Sequence, residues 1–365
     1  MKYIYTTCLF MLAVVKLFGS DTMAISLTKV SPEGGVTYNS VLCMEEDELG
    51  FIWFGTNDGL FRYNSIDFKR YSHFQNDTNS IPTNRINEIH RDLSGKLWIA
   101  TENGLCLYNR QRDNFSNYSL KDQFGNSTGE IINSFFQASD STFWYSDEKG
   151  FGTLNVHTNQ VFYERIQDKN LQTAHLSQDD HGTIWVFYND GDIYYKTKES
   201  DKFFYFSTAL AHNIRSVLID KDKIWIAYLT EGLICLNFDG TQHAYFNDSN
   251  KDEKALPSNQ VRSILKDDNG LIWAATYKGI ALIKDNRVIS VINTRKYSEL
   301  PHQSVWSLYM DSQKNIWIGT WYGGICFHSK YNNYFNHHAQ TGSENSLSFD
   351  IVSFFAEDPE TGEII

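Results

Sequence analysis

Residues 92–109 read D-L-S-G-K-L-W-I-A-T-E-N-G-L-C-L-Y-N, and the way this stretch folds decides the architecture of the whole chain. Two short apolar runs, Leu97 to Thr101 and Gly104 to Tyr108, are separated by the polar pair Glu102-Asn103, as two paired strands would be. The D-L-S-G before them supplies an aspartate that can bond a tight turn's backbone and a glycine free to take positive φ. Flanking runs from Ile86 to His90 and from Phe115 to Tyr118 complete a unit of four strands. Helical i, i+3, i+4 spacing is absent over any useful length.

The unit recurs. Trp53, Trp98, Trp144, Trp185, Trp225, Trp273 and Trp317 fall at intervals of 40 to 48 residues. Their surroundings recur with them, as in F-I-W-F-G-T-N-D-G-L-F (51–61), I-W-A-A-T-Y-K-G-I-A-L (272–282) and I-W-I-G-T-W-Y-G-G-I-C-F (316–327), with a degenerate copy F-W-Y-S-D-E-K-G-F-G at 143–152. A period in the forties fits propeller blades or paired-helix solenoids, and the two-residue alternation selects the propeller. The expectation is an all-β fold: a seven-bladed β-propeller of four-stranded antiparallel blades over residues 25–340. Each repeated tryptophan then lies on a second strand and fills the wedge between neighbouring blades.

Ring closure has two candidates. Ile25 to Ser31 reads as an orphan outer strand able to complete the seventh blade, yet Tyr334 to His338 also resembles that blade's outer strand. Residues 341–365 read as the start of a further repeat or second propeller, so the chain reads as cut short.

Composition narrows the function. With 41% hydrophobic and 15% aromatic residues the chain can bury a real core. Its net charge of −12 and lack of a long basic run argue against nucleic acid as a partner. Residues 1–24 carry Lys2, an apolar run from Cys8 to Val15 and a small-residue T-M-A end, the marks of an export signal peptide. The cysteines outside that leader, Cys43, Cys106, Cys235 and Cys326, show no metal-ligand spacing, and three sit at equivalent places in separate repeats. Free thiols are expected, since equivalent positions of different blades lie too far apart to bridge. No cofactor or metal motif is found.

The copies of [IL]-W-[IV]-[GA]-T-x-x-G-[LI] preceded by D-x-x-G resemble the two-component regulator propeller repeat over about residues 25–365. That resemblance implies the periplasmic sensor part of a hybrid two-component system of Bacteroidetes, on the periplasmic face of the inner membrane. It implies an oligosaccharide ligand, control of glycan-utilisation genes, and further propeller and Ig-like domains in the same chain. It leaves a homodimer open. Membrane span, histidine kinase, receiver and DNA-binding regulator would follow outside this chain, which is expected not to be an enzyme. Two alternatives from other classes are a glycan-cleaving propeller enzyme and a scaffold propeller that docks a partner domain.

In a propeller, the loop leading into each first strand and the loop joining the second and third strands emerge on one face. The repeats agree in framework and diverge in those loops, which marks the positions free to take individual roles. A sugar site needs flat apolar faces for pyranose C–H surfaces and polar groups for hydroxyls. The candidate ligand-binding residues on that ground are Trp321, Tyr322, Trp306, His302, Tyr277, Lys278, Arg262, Arg215 and Arg85. The three arginines suit bidentate contact with a sulfate or uronate. Trp321 and Tyr322 occupy the slot that N-D, E-N or Y-K fills in other repeats.

Overall fold

Short strands follow one another through the chain, and each group of four closes into one small sheet. The computed structural model describes residues 25–30, 39–127, 131–139, 141–166, 173–209, 213–250, 252 and 254–329. The leader 1–24, the alternative outer strand Tyr334 to His338 and the further repeat at 341–365 lie outside the described residues. Leu27–Ser329 forms one unit of seven sheets, the blades of a propeller. Blade 2, for example, consists of Ile86–Arg91, Leu97–Thr101, Gly104–Asn109 and Asn114–Tyr118, paired antiparallel in chain order. The first strand of every blade touches the first strands of both neighbours, so these seven strands ring a central axis. Blade 3 carries an added parallel strand, Lys121–Asp122, outside Gln160–Tyr163.

The structure decides between the two closures. Leu27–Val30 pairs antiparallel with Ile325–His328, placing the N-terminal strand at the outer edge of blade 7. Further bonds join blade 7 to blade 1 near the axis. The Ser307 hydroxyl donates to the carbonyl of Val41 at 2.8 Å, and Ser312 donates its N–H and hydroxyl to the buried Glu46 carboxylate at 2.7 and 2.8 Å. Gly319 makes this approach possible, because a Cβ there would lie 2.8 Å from the Val41 side chain.

The repeated tryptophans are core, none of them more than 6% exposed. Each leans on the next blade: Trp53 packs with Ile86, Ile89 and Leu97, and Trp317 with Phe54 of blade 1. All seven second strands are buried along their common five residues. Cys106, Cys235 and Cys326 are buried free thiols in third strands, and Cys43 is free and half-buried in a first strand.

One tie was not read from the sequence. In blades 1, 2, 4, 6 and 7 the aspartate six residues before the tryptophan accepts its indole N–H at 2.8 to 3.1 Å. The other carboxylate oxygen accepts backbone N–H groups of the D-x-x-G turn, as Asp92 does from Ser94 and Lys96. Burial alone would raise the Asp92 carboxyl, but the bonds from Trp98, Ser94 and Lys96 outweigh it and hold its pKa below the ordinary value. Blade 3 has Ala138 at this place, and blade 5 joins its first two strands by the tighter turn Lys221–Asp222.

Asp92→Ala removes the indole's acceptor and three turn bonds while Trp98 stays in the core. It is expected to lower the unfolding free energy by roughly 2–4 kcal/mol, measured by urea denaturation, because donors in an apolar setting are left unpaired. A loss below about 1 kcal/mol would show that turn and indole hold without the carboxylate.

Candidate functional site

The two loop sets expected to share a face do so, joined by backbone bonds. Trp321 donates its N–H to the carbonyl of Ser304 at 2.9 Å, Tyr277 to that of Gln260 at 3.1 Å, and Gly59 to that of Asn84 in the next blade at 2.7 Å. Second–third turns are therefore interleaved with the segments that lead into first strands. Thr56, Thr101 and Thr276 cap their turns by donating to the carbonyl of the glycine three residues on. In blade 7 Thr320 reaches instead to Gly324, four residues on, at 2.8 Å. Its turn is thus one residue longer, Trp321-Tyr322-Gly323, and the aromatic pair does not simply replace N-D. Tyr322 takes a positive φ of 50° in this turn and is 54% exposed.

A second device lies in the first strands. In all seven, pairing with the second strand skips one residue after the first position: Val305 faces Thr320, but Ser307 faces Gly319. The same slip occurs in the other six blades. Such a bulge leaves one residue unpaired and re-aims its side chain. The bulged residues are Leu42, Asn87, Asn133, Ala174, Arg215, Arg262 and Trp306. They sit where the first strands leave the loop-bearing face, at the mouth of the ring.

Three of them belong to one construction. The Arg262 guanidinium lies over the Trp306 ring at 4.1 Å from its centroid. Trp306 stacks on Trp321 at 4.4 Å and 27°, and Trp321 meets Tyr322 edge-on at 4.8 Å. A cation over an indole face is attracted by the ring quadrupole, so the ladder fixes the guanidinium plane. His302 supports it from below: its Nδ1 accepts the N–H of Ser304, whose hydroxyl accepts the Trp306 indole N–H at 3.2 Å. A Cβ at Gly323 would lie 2.6 Å from the Cβ of His302, so glycine lets the long turn settle on this residue.

Arg215 extends the cationic side. Partial burial and then the charge of Arg215 lower the pKa of Arg262; burial and then the charge of Arg85 do the same to Arg215. Arg85 forms an ion pair with Glu102 at 3.0 Å. Tyr277 and Lys278 are exposed on the blade 6 turn. Of the nine candidates, Arg262, Trp306, Trp321 and Tyr322 are brought into contact, and His302 becomes a support. Arg215 reaches the cluster through its charge, Arg85 is held on the rim, and Lys278 makes no contact with the ladder.

Sequence reading missed two features. A groove of about 470 Å³ opens elsewhere on the same face, between His73, Phe74, Asn103, Asn117 and Tyr118. Phe74 there is 62% exposed, an apolar residue in a polar loop that a reading focused on repeat differences passes over. The second feature is on the channel wall, where first-strand side chains place Glu45, Glu88, His90 and Tyr309. Glu88 accepts the N–H of Phe135 at 2.8 Å and Glu45 accepts the Tyr309 hydroxyl at 3.3 Å. Both residues are half-buried. Burial pushes Glu88 up to about 8, with the charge of Glu45 adding to the rise. Burial likewise pushes Glu45 up to about 7, against the pull of Arg91. Burial lowers His90 and His175 to about 4.

Blades of this design, with an aspartate–indole tie and two interleaved loop sets, define a repeat propeller. The family model described as two component regulator propeller matches residues 35–58, 255–278 and 299–322. The extracellular domain of a hybrid two-component system from B. thetaiotaomicron is similar in structure, with a TM-score of 0.71 at 23% identity, covering 92% of this chain and 46% of that one. A second such domain from the same organism matches with a TM-score of 0.64 at 20% identity over 87% and 44% of the two chains. This chain thus spans about half the length of those structures. Virginiamycin B lyase from Staphylococcus aureus, here in a catalytically inactive form, shares the fold at 11% identity, with a TM-score of 0.65 over 84% of this chain and 99% of the lyase. No curated protein sequence matches the chain.

The channel carboxyls set an expected pH response. Their folded pKa values are raised above the ordinary 4.5, so the stability they contribute is full at acid pH and lost as pH climbs through 7 and 8. The two histidines, lowered when folded, oppose this fall until the unfolded chain has lost their protons, about one pH unit above the ordinary 6.5, and add no slope beyond that. The urea midpoint is expected to fall from about pH 7.5 to 8.5, and Glu88→Gln to flatten that fall; an unchanged slope in the variant would refute the assignment.

Proposed function

We propose that this chain is the extracytoplasmic ligand-sensing propeller of a hybrid two-component sensor, exported to the periplasmic face of the inner membrane. Its ladder of Trp306, Trp321 and Tyr322 recognises glycan-derived oligosaccharides, and binding controls glycan-utilisation genes through domains beyond this segment. The observation that carries the binding reading is the stacked Trp306–Trp321 pair beside the exposed Tyr322, standing on a turn lengthened only in blade 7 among the threonine-capped turns. The seven repeated indoles are consumed by the core, whereas these rings are not. Support for the sensor reading comes from the repeats and from the extracellular domains of similar architecture.

Stacked rings at a channel mouth present flat apolar area at low entropic cost. The arginines and the exposed Tyr277 and Lys278 provide polar contacts around it. Signalling further requires that the ligand prefer one arrangement of this propeller and its neighbouring domains, because equal affinity for two states shifts nothing.

Intrinsic fluorescence suits the test. Of nine tryptophans, seven are the buried repeat residues, leaving Trp306 and Trp321 as reporters at the site. Titration with a panel of neutral and acidic oligosaccharides is expected to change the emission saturably for at least one member. Trp321→Ala is expected to weaken that binding by about tenfold or more. Silence across the panel would favour a scaffold that docks a partner domain, and product formation with turnover would favour a glycan-cleaving enzyme.

A further inference from the structure

At the mouth of the ring the charge balance is locally reversed. The chain carries 44 acidic against 32 basic residues, yet neither Arg215 nor Arg262 forms an ion pair with a carboxylate among the described residues, whereas Arg85, Arg70 and Arg110 each do. The two unpaired guanidiniums are near enough for their charges to oppose each other. Arg262 also holds a buried Nε that has no hydrogen-bond partner. With its face covered by Trp306, Arg262 has only its edge for hydrogen bonding, and that edge is the planar fork that matches a carboxylate or sulfate.

The bulge makes this arrangement deliberate in the physical sense. Blades 5 and 6 place arginine, and blade 7 places tryptophan, at the one first-strand position that escapes the pairing alternation. Cation and platform therefore sit side by side on rigid strands, with the long blade 7 turn adding a second indole and a phenol beyond them. Apolar rings beside an uncompensated cationic pair match a molecule that is itself part apolar face and part anion.

We propose that the mouth site takes an anionic sugar, with a uronate carboxylate or a sulfate ester held by Arg262 and Arg215 and its pyranose ring carried on Trp321 and Tyr322. This assignment rests on the glycan-binding reading and narrows its ligand class. The anion joins the two guanidiniums and relieves their mutual repulsion. Uronate and sulfate present the same chemistry to the fork, and separate arms of the experiment tell them apart.

Calorimetric titration of the full chain compares tetragalacturonate with its methyl ester, and a sulfated chondroitin tetrasaccharide with its desulfated, methyl-esterified form. At least one acid is expected to bind about tenfold tighter than its neutral partner, since charge-assisted bidentate bonds exceed neutral ones. That gap is expected to narrow on going from low to high salt. Arg262→Gln is expected to remove the gap, and Arg215→Gln, at an exposed position, to narrow it without affecting folding. Trp321→Ala is expected to weaken acid and neutral forms alike. Equal or tighter binding of the neutral forms would overturn the anion assignment and leave the glycan reading standing, as would an undiminished gap in Arg262→Gln. Absence of binding by all four sugars would overturn both.

Discussion

In five blades a single aspartate carboxylate holds a turn with one oxygen and an indole with the other. This places a charged, many-bonded group at the edge of each wedge-shaped core and fixes where the largest side chain of the blade stands. The tryptophan then sets the spacing to the next blade, as Trp53 does against Ile86 and Leu97. Blade spacing in turn sets the radius of the ring of first strands, on which every functional position is mounted. Blades 3 and 5 do without the tie. Blade 3 instead buries Asp147, which accepts the hydroxyls of Tyr145 and Tyr163 and the N–H groups of Lys149 and Gly150.

Because the framework is shared, individuality is confined to a few positions, and the bulge is the one that matters most. A regular first strand would point alternate residues along and into the blade walls. One unpaired residue per strand breaks that alternation at the end nearest the loops. Its identity can change from Leu42 to Arg262 to Trp306 without disturbing a ladder bond, so a rigid ring carries a variable collar. The cationic and aromatic members fall in consecutive blades, 5, 6 and 7, and only adjacency across the ring turns them into one site.

Much of this was legible in the sequence. Period, turn glycines and the two-residue alternation of Leu97 to Thr101 and Gly104 to Tyr108 specify blades, and propeller topology puts the two loop sets on one face. The Asp–Trp tie was half legible: both residues recur six apart, but spacing alone does not say that a strand's indole turns back to the turn before it. The extra residue of T-W-Y-G-G was visible in the letters and hidden by aligning the aromatic pair with N-D. The bulge was not legible, since Val305-Trp306-Ser307 reads equally well as plain alternation. Contact between Arg262 and Trp306, 44 residues apart in different blades, depends on how the blades are spaced, which no local pattern encodes.

Closure by Leu27–Val30 gives the ring a seam. The pair Leu27 and His328 joins points about 300 residues apart, and closing so long a loop costs about 5 kcal/mol of chain entropy beyond a constant. Four paired residues must offset that together with the Ser307–Val41 and Ser312–Glu46 bonds. During N-to-C synthesis the first strand waits unpaired until the third strand of blade 7 exists, so blade 7 is the last to be completed. The Trp306–Trp321 stack is built on that same blade. A ligand held on the stack is therefore held by the blade in which the two ends of the ring meet.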